Sequence, residues 1–116
     1  MQRDEVQAIA NLTAKFIGLK ARPEIRIVNH KLKFNAAALA WWEDGYIEIL
    51  ESVVNGDPLF LHYVITHEVC HFAPKCNNHG KKFQALEKKA LDFWGIGIKR
   101  RTVYPEKLWR KPSTIN

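Results

Sequence analysis

The sequence predicts one domain of the α+β class, with a helix first, three short strands next and two more helices after them. Three observations predict this order. Apolar residues recur at helical spacing near the N-terminus, strand-like stretches follow and two of them flank an Asp-Gly pair, and helical spacing then returns. With 116 residues, 47% of them hydrophobic, the chain is long enough for one small core.

The first element is a helix predicted from Asp4 to Leu19. One face of this segment is largely apolar at a spacing of three or four residues, through Val6, Ile9, Ala10, Thr13, Phe16 and Ile17. The stretch from Gly18 to Pro23 supplies the glycine and proline that end a helix. The sequence therefore predicts that the chain leaves this helix just before the first strand.

Three strands are predicted between residues 24 and 50. Glu24–Val28 is rich in isoleucine and valine, and Asn29–Lys33 has the composition of a turn. Ala37–Trp42 and Tyr46–Leu50 are the second and third strands, and Asp44-Gly45 between them favours a two-residue hairpin. The alanines at 36–38 are the least strand-like part, because alanine prefers a helix.

The second helix is predicted to begin at Pro58 and to end before Pro74. Asp57 is suited to cap it, and proline fits the first helical position because the N–H it lacks has no partner there. An apolar stripe at helical spacing follows, made of Leu61, Ile65, Val69 and Phe72. An adjacent stripe contains Phe60, Val64, His67 and His71.

This second helix carries the pattern His-Glu-x-x-His at His67, Glu68 and His71. Two histidines four apart lie on one face of a helix, so both imidazoles can hold one zinc ion. The glutamate after the first histidine lies at the flank of the ion, where it can take a proton from water. The alternative interpretation is an ordinary helix surface, but the capped helix and its apolar stripe favour the metal site.

A catalytic zinc site needs a third protein ligand, and His79 is the leading candidate. Residues 74–78 predict a short turn, and an asparagine at 77 or 78 is suited to cap a third helix that His79 opens. Glu87 is the second candidate ligand, and its alternatives are a solvated residue or a partner of a ligand. Cys76 lies in the turn between the ligands and can approach the metal, although a turn residue is the simpler interpretation. The face that follows His79 in this helix contains Phe83, Leu86, Ala90 and Phe93.

Composition and charge limit the other properties of the chain. The net charge is +6, and the residues from Gly95 onward account for +5 of it through six basic residues and one acid. Such a basic tail suits nucleic acid or an acidic protein partner. No stretch reaches the ~18 consecutive apolar residues of a membrane span, and no signal peptide is evident, so we expect a soluble cytoplasmic protein. Two cysteines do not make a disulfide scaffold.

Three segments together carry a family resemblance: Gly45-Tyr46-Ile47-Glu48-Ile49, His67-Glu68-Val69-Cys70-His71 and His79-Gly80-Lys81-Lys82-Phe83. With them the chain resembles the minimal zincin core of the minigluzincins, of the related SprT-like and YgjP-like proteins, and of the catalytic domains of some integral-membrane metallopeptidases. The resemblance implies one zinc ion with His79 as its third ligand. It also implies a mixed sheet over the zinc helix, whose edge strand, Ala37–Trp42 or Tyr46–Leu50, pairs with an extended peptide.

The resulting hypothesis is a zinc metallopeptidase that cleaves peptide bonds with Glu68 as general base. Residues 1–98 are the expected catalytic domain, and residues 99–116 are a basic, aromatic tail that the resemblance makes a candidate latency segment. The expected partner is an extended peptide or protein substrate, and the expected state is a monomer or a tail-swapped dimer. The alternative is a zinc-stabilised binding module without catalysis, whose tail contacts nucleic acid or protein.

Overall fold

The computed structural model describes residues 1–96 and has the predicted α+β class. A single 3-10 turn, Lys33–Asn35, precedes the second strand. Among the described residues the elements, in chain order, are α1 Arg3–Phe16, β1 Glu24–Val28, β2 Ala38–Trp41, β3 Tyr46–Leu50, α2 Glu51–Val54, α3 Pro58–Cys70 and α4 Lys81–Trp94. No helix among these residues is long and apolar enough to cross a bilayer. The predicted tail, residues 99–116, and the 98/99 boundary lie outside the described residues.

The sheet is mixed, as the resemblance implied, and its strand order is β1-β3-β2. β1 runs parallel to β3, and β2 runs antiparallel to β3. The third strand is therefore central. Of the two edge strands that the resemblance allowed, the topology excludes Tyr46–Leu50 and leaves the strand predicted at Ala37–Trp42. Because β3 pairs on both sides, β2 is left as the edge strand beside α3, which it contacts.

The alternation of side chains along the strands divides the core into two faces. Ile25, Ile47 and Ile49 are fully buried and pack with α1 and α3 in the main core. Leu39 faces the opposite side, where it clusters with Leu32 and Ala36 from the connection before β2. This connection covers one face of the sheet, and the helices cover the other.

The predicted ends of α1 and of the hairpin are wrong in detail. Helix α1 stops at Phe16, short of Leu19, because Gly18 adopts a φ of 84° and the N–H of Leu19 turns back to the carbonyl of Ala14 at 2.9 Å. The hairpin loop has four residues, 42–45, instead of two. The Trp41 carbonyl accepts hydrogen bonds from the N–H groups of residues 44 and 45, and Gly45 has a φ of 83°.

Helix α3 begins as predicted, with Pro58 at its first position and the Asp57 carboxylate accepting the N–H of Leu59 at 2.9 Å. Its burial is wider than the predicted stripe. Leu61 and every residue from Tyr63 to Cys70 are buried, because α1, α4 and β2 all contact this helix. A helix that is enclosed on several sides is apolar around its circumference instead of along one face. The polar residues that interrupt this apolar surface therefore mark the site.

Helix α4 begins at Lys81, two residues later than predicted, with Gly80 as its N-cap. His79 thus lies in the preceding loop, and neither asparagine caps the helix. The Phe83 side chain is buried as expected, but Phe93 is 48% exposed and stacks on Phe16 of α1. The inward face of α4 passes instead through Glu87, which the structure buries.

Candidate metal centre

The last turn of α3 and the loop before α4 bring three histidines together. His67 lies in the last turn of α3, His71 is its C-cap, and His79 approaches from the loop. One nitrogen from each lies within 4.8 Å of the other two, and the Nε2 atoms of His67 and His79 are 3.2 Å apart. Two nitrogens at the Zn–N distance of ~2.0–2.1 Å in a tetrahedral site are separated by roughly 3.3 Å, so this spacing fits zinc.

The ring nitrogens that face away from this cluster are anchored. His67 Nδ1–H donates to Glu87 Oε2 at 2.5 Å, and the Tyr63 hydroxyl oxygen lies 3.1 Å from the same nitrogen. His71 Nδ1–H donates to the backbone carbonyl of Cys76 at 2.8 Å. A proton held on Nδ1 leaves the Nε2 lone pair free to bind a cation. The outer hydrogen bonds therefore fix the orientation of both imidazole rings.

The Phe83 ring packs against the imidazole rings of all three histidines. Its ring stacks on His71 with centroids 4.4 Å apart and meets His67 and His79 edge to face at 4.9 and 5.2 Å. Phe83 is buried at the first turn of α4, so it also fixes how α4 meets the end of α3. The phenylalanine of the His-Gly-x-x-Phe segment thus has a direct packing role at the site.

Hydrogen bonds fold the loop between the helices so that His79 reaches the cluster. The Asn77 side chain donates to the carbonyl of His71 at 3.0 Å, and the Gln84 side chain donates to the carbonyl of His79 at 2.9 Å. The N–H of Gly80 donates to Asn78 Oδ1 at 2.9 Å, and a Cβ on Gly80 would lie 2.9 Å from that oxygen. A side chain at position 80 would therefore force Asn78 to move.

The buried polar atoms of Glu68 and His71 indicate whether the site can accept a metal ion. Glu68 is fully buried, and within residues 1–96 neither of its carboxylate oxygens has a hydrogen-bond partner. His71 Nε2 is buried without a partner in the same part of the chain. Buried polar atoms without partners are costly, so they indicate a group that the fold is built to receive. Three imidazole nitrogens beside a carboxylate suit a divalent cation such as zinc.

The electrostatics of the metal-free site are dominated by buried carboxylates. Burial by itself lowers the pKa of His67, but the carboxylates of Glu68 and Glu87 outweigh it and raise that pKa to about 9. Burial also raises the pKa of the Cys70 thiol, which keeps it protonated at neutral pH. In the metal-free protein, protonated His67 therefore supplies the positive charge that the carboxylates of Glu68 and Glu87 favour.

The structure separates the alternatives that the sequence left open for Glu87 and Cys76. Glu87 binds the outer nitrogen of His67, so it acts as the partner of a candidate ligand, and it is outside the group of possible metal-holding residues. Cys76 contributes its backbone carbonyl to His71, and its thiol is free. Tyr63 was missed as a contact of His67, although it precedes that histidine by one helical turn and the spacing was available.

A cavity of about 470 Å³ adjoins His71. It lies between the edge strand β2 and the end of α3, and both His71 and Asn77 line it. The candidate metal centre therefore adjoins open space at His71, on the side of β2.

The fold and the site together define a minimal zincin core with three histidines placed to hold a metal ion. A family model matches residues 6–101, and the chain belongs to the SprT-like family. Its core is of the minigluzincin type. No curated protein matches the chain.

A solved structure supports the same fold. The crystal structure of the metallopeptidase zymogen of Pyrococcus abyssi abylysin is similar, with a TM-score of 0.70 over 92% of this chain and 95% of that chain. The two sequences are 17% identical, a level at which the likeness shows the fold. The similarity therefore extends over nearly the whole length of both proteins, as expected for a shared minimal core.

Proposed function

We propose that the protein is a zinc metallopeptidase, with His67, His71 and His79 as the metal ligands and Glu68 as the general base. The observation that carries this proposal is a fully buried carboxylate at Glu68, which acts electrostatically on His67, next to three histidines whose ring nitrogens lie within 4.8 Å of one another. A purely structural zinc site closes its fourth position and needs no carboxylate of this kind. The non-catalytic binding module is therefore the weaker hypothesis.

In the proposed mechanism His67, His71 and His79 would hold a zinc ion, which when bound would supply the Lewis acidity that lowers the pKa of a water to ~7 and polarises the scissile carbonyl. Glu68 accepts the proton of the attacking water as its oxygen bonds to the carbonyl carbon. Glu68 then donates this proton to the nitrogen of the leaving amine, and the C–N bond breaks. Glu87 and the Cys76 carbonyl hold the protons on the outer nitrogens of His67 and His71 throughout.

The edge strand provides a way to hold an extended substrate. The N–H of Leu50 donates to the carbonyl of Ala37, so in the antiparallel ladder Leu39 and Trp41 also point their backbone groups toward β3. The backbone groups of Ala38 and Ala40 then face the opposite side, where β2 has no further strand partner among residues 1–96. We propose that a peptide substrate pairs with these groups by strand addition.

The base assignment is tested by Glu68→Gln. This change keeps the size of the side chain but removes its proton affinity, so the variant should bind zinc and lose peptide hydrolysis by ~10²-fold or more. Zinc content is measured by elemental analysis, and hydrolysis by cleavage of an unstructured protein. The exposed acid Asp92, on the surface of α4, gives a matched control as Asp92→Asn. Equal activity of Glu68→Gln and the parent would disprove the assignment.

We further propose that residues 99–116 hold the enzyme latent. The segment combines basic residues with the apolar Val103, Tyr104, Leu108 and Trp109. The similar abylysin structure is described as that of a zymogen, which supports a latent form of this protein. Truncation after Ile98 should raise peptidase activity if circular dichroism shows an intact fold. Unchanged activity in a folded truncation would contradict latency.

A further inference from the structure

We propose that the cavity beside the histidines is a side-chain subsite that selects peptides with a large apolar residue next to the cleaved bond. We call it the aromatic pocket, and Phe34 and Trp42 are its specificity-determining residues. This inference rests on the proposed peptidase function and adds a substrate class to it.

The first argument is the position and lining of the aromatic pocket. Its volume of about 470 Å³ lies in the ~300–1,000 Å³ range of small-ligand sites, so it has room for one bulky side chain. His71 and Asn77 are among its lining residues, so the pocket reaches the candidate metal centre at His71. The walls come mainly from the edge strand and the segments beside it: Phe34, Leu39, Ala40, Trp41 and Trp42.

The second argument is the conformation of Phe34. Its backbone has φ 62° and ψ 18°, in the left-handed region that bulky L-residues avoid. Its side chain is nevertheless 68% exposed, so packing in the core does not explain why a phenylalanine is held there. Glycine or asparagine would fit this backbone with less strain. An exposed ring kept on a strained backbone beside a candidate active site indicates a binding role.

The third argument is that the rest of the wall is rigid and apolar. The Trp41 indole N–H donates to Glu48 at 2.7 Å, and the ring stacks on Tyr46 with centroids 6.1 Å apart. Leu39 and Ala40, which precede Trp41 in the strand, are buried, and Trp42 is 42% exposed. A fixed apolar surface of this kind gains free energy when a large apolar side chain covers it.

The polar residues of the pocket lie at its margin. Lys33 Nζ is 5.7 Å from the Trp41 ring centroid, and Glu43 and Asp44 contribute to the lining from the hairpin loop. Apolar walls with a few polar groups are typical of sites that bind one side chain selectively. A charged substrate side chain would lose water against these walls, so it should be rejected relative to phenylalanine or leucine.

The test compares the full-length protein with the double variant Phe34→Asn/Trp42→Ala. Asparagine tolerates the left-handed backbone, so the loop keeps its conformation while both rings are removed. The substrates are fluorogenic peptides identical except for Phe, Leu, Asp or Ala on either side of the cleaved bond. The parent should prefer Phe or Leu over Ala by ~10-fold or more in kcat/KM, and the double variant should lose most of this preference. Phe16→Ala removes a ring on α1 that is 45% exposed, close to the 42% of Trp42, and should leave the preference unchanged.

Two further measurements separate this inference from the peptidase proposal. Labelled Phe and Ala peptides are titrated into the Glu68→Gln protein and followed by fluorescence polarisation, which needs no cleavage. Tighter binding of the Phe peptide that disappears in the double variant supports the aromatic pocket even if the parent cleaves nothing. A tail that competes for the cleft weakens both peptides alike, so the ratio remains informative. No preference in binding or cleavage, or a preference that survives the double variant, overturns the inference.

Discussion

The variant Glu87→Gln tests whether the carboxylate that binds the outer nitrogen of His67 strengthens metal binding. Glu87 is 5% exposed, and its carboxylate accepts the Nδ1–H of His67 at 2.5 Å. Glutamine keeps the shape and an acceptor oxygen but removes the negative charge. A charged acceptor makes the imidazole more basic toward the metal and offsets part of the cation's charge.

The expected magnitude is a loss of ~10–100-fold in zinc affinity, which corresponds to ~1.4–2.7 kcal/mol. The pH decides how much of this loss is visible. In the metal-free protein the pKa of His67 is raised to about 9, so a proton competes with zinc below that pH. Glu87→Gln removes one cause of the raised pKa and so weakens this competition. The full loss should therefore appear near pH 9.5 and shrink toward pH 6.

The assay is a competition titration with a chromophoric chelator at several pH values, with Asp92→Asn as the control for loss of an acid from α4. Asp92 is exposed and pairs with Lys88, so its removal should leave zinc affinity unchanged. Circular dichroism establishes that each variant is folded. The reasoning fails if Glu87→Gln binds zinc as tightly as the parent at pH 9.5, or if the difference grows as the pH falls.

Three other predictions follow from the site. Because the pKa of His67 is raised in the folded metal-free protein, its protonation stabilises the fold fully below the unfolded pKa of ~6.5. This stabilisation is lost as the pH rises through about 9. The urea midpoint of the metal-free protein should therefore fall over that window, and it should fall less in Glu87→Gln. Phe83→Ala should cost ~3–5 kcal/mol in urea unfolding because it empties the contact beneath three rings, and a cost under ~1 kcal/mol would show that this packing is unimportant. His79→Ala should abolish tight zinc binding. The urea midpoint of the metal-free protein should stay nearly unchanged, because His79 is only half-buried. Undiminished zinc affinity would show that His79 is not a ligand.

The local features were predictable because their causes lie within a few residues. The start of α3 follows from Asp57 and Pro58, and the common face of His67 and His71 follows from the helical repeat. The hairpin loop was mispredicted because Asp44-Gly45 also fits a longer turn in which only the glycine has a positive φ. The prediction that His79 opens a helix failed for a related reason. Glycine at 80 provides an N-cap of its own, so the histidine stays in the loop.

The sequence by itself determined the α+β class, the order of the strands and longer helices, the capped helix and the histidine-glutamate pattern on it, since these depend on short-range spacing and backbone preference. The four-residue helix α2 was not predicted. Only the tertiary structure decided that β3 is central and β2 is the open edge, that Glu87 binds His67 from twenty positions away, and that Phe34 and Trp42 line one cavity with His71. Those arrangements arise from the packing of distant segments around one core. Spacing along a chain does not specify which partners such packing brings into contact.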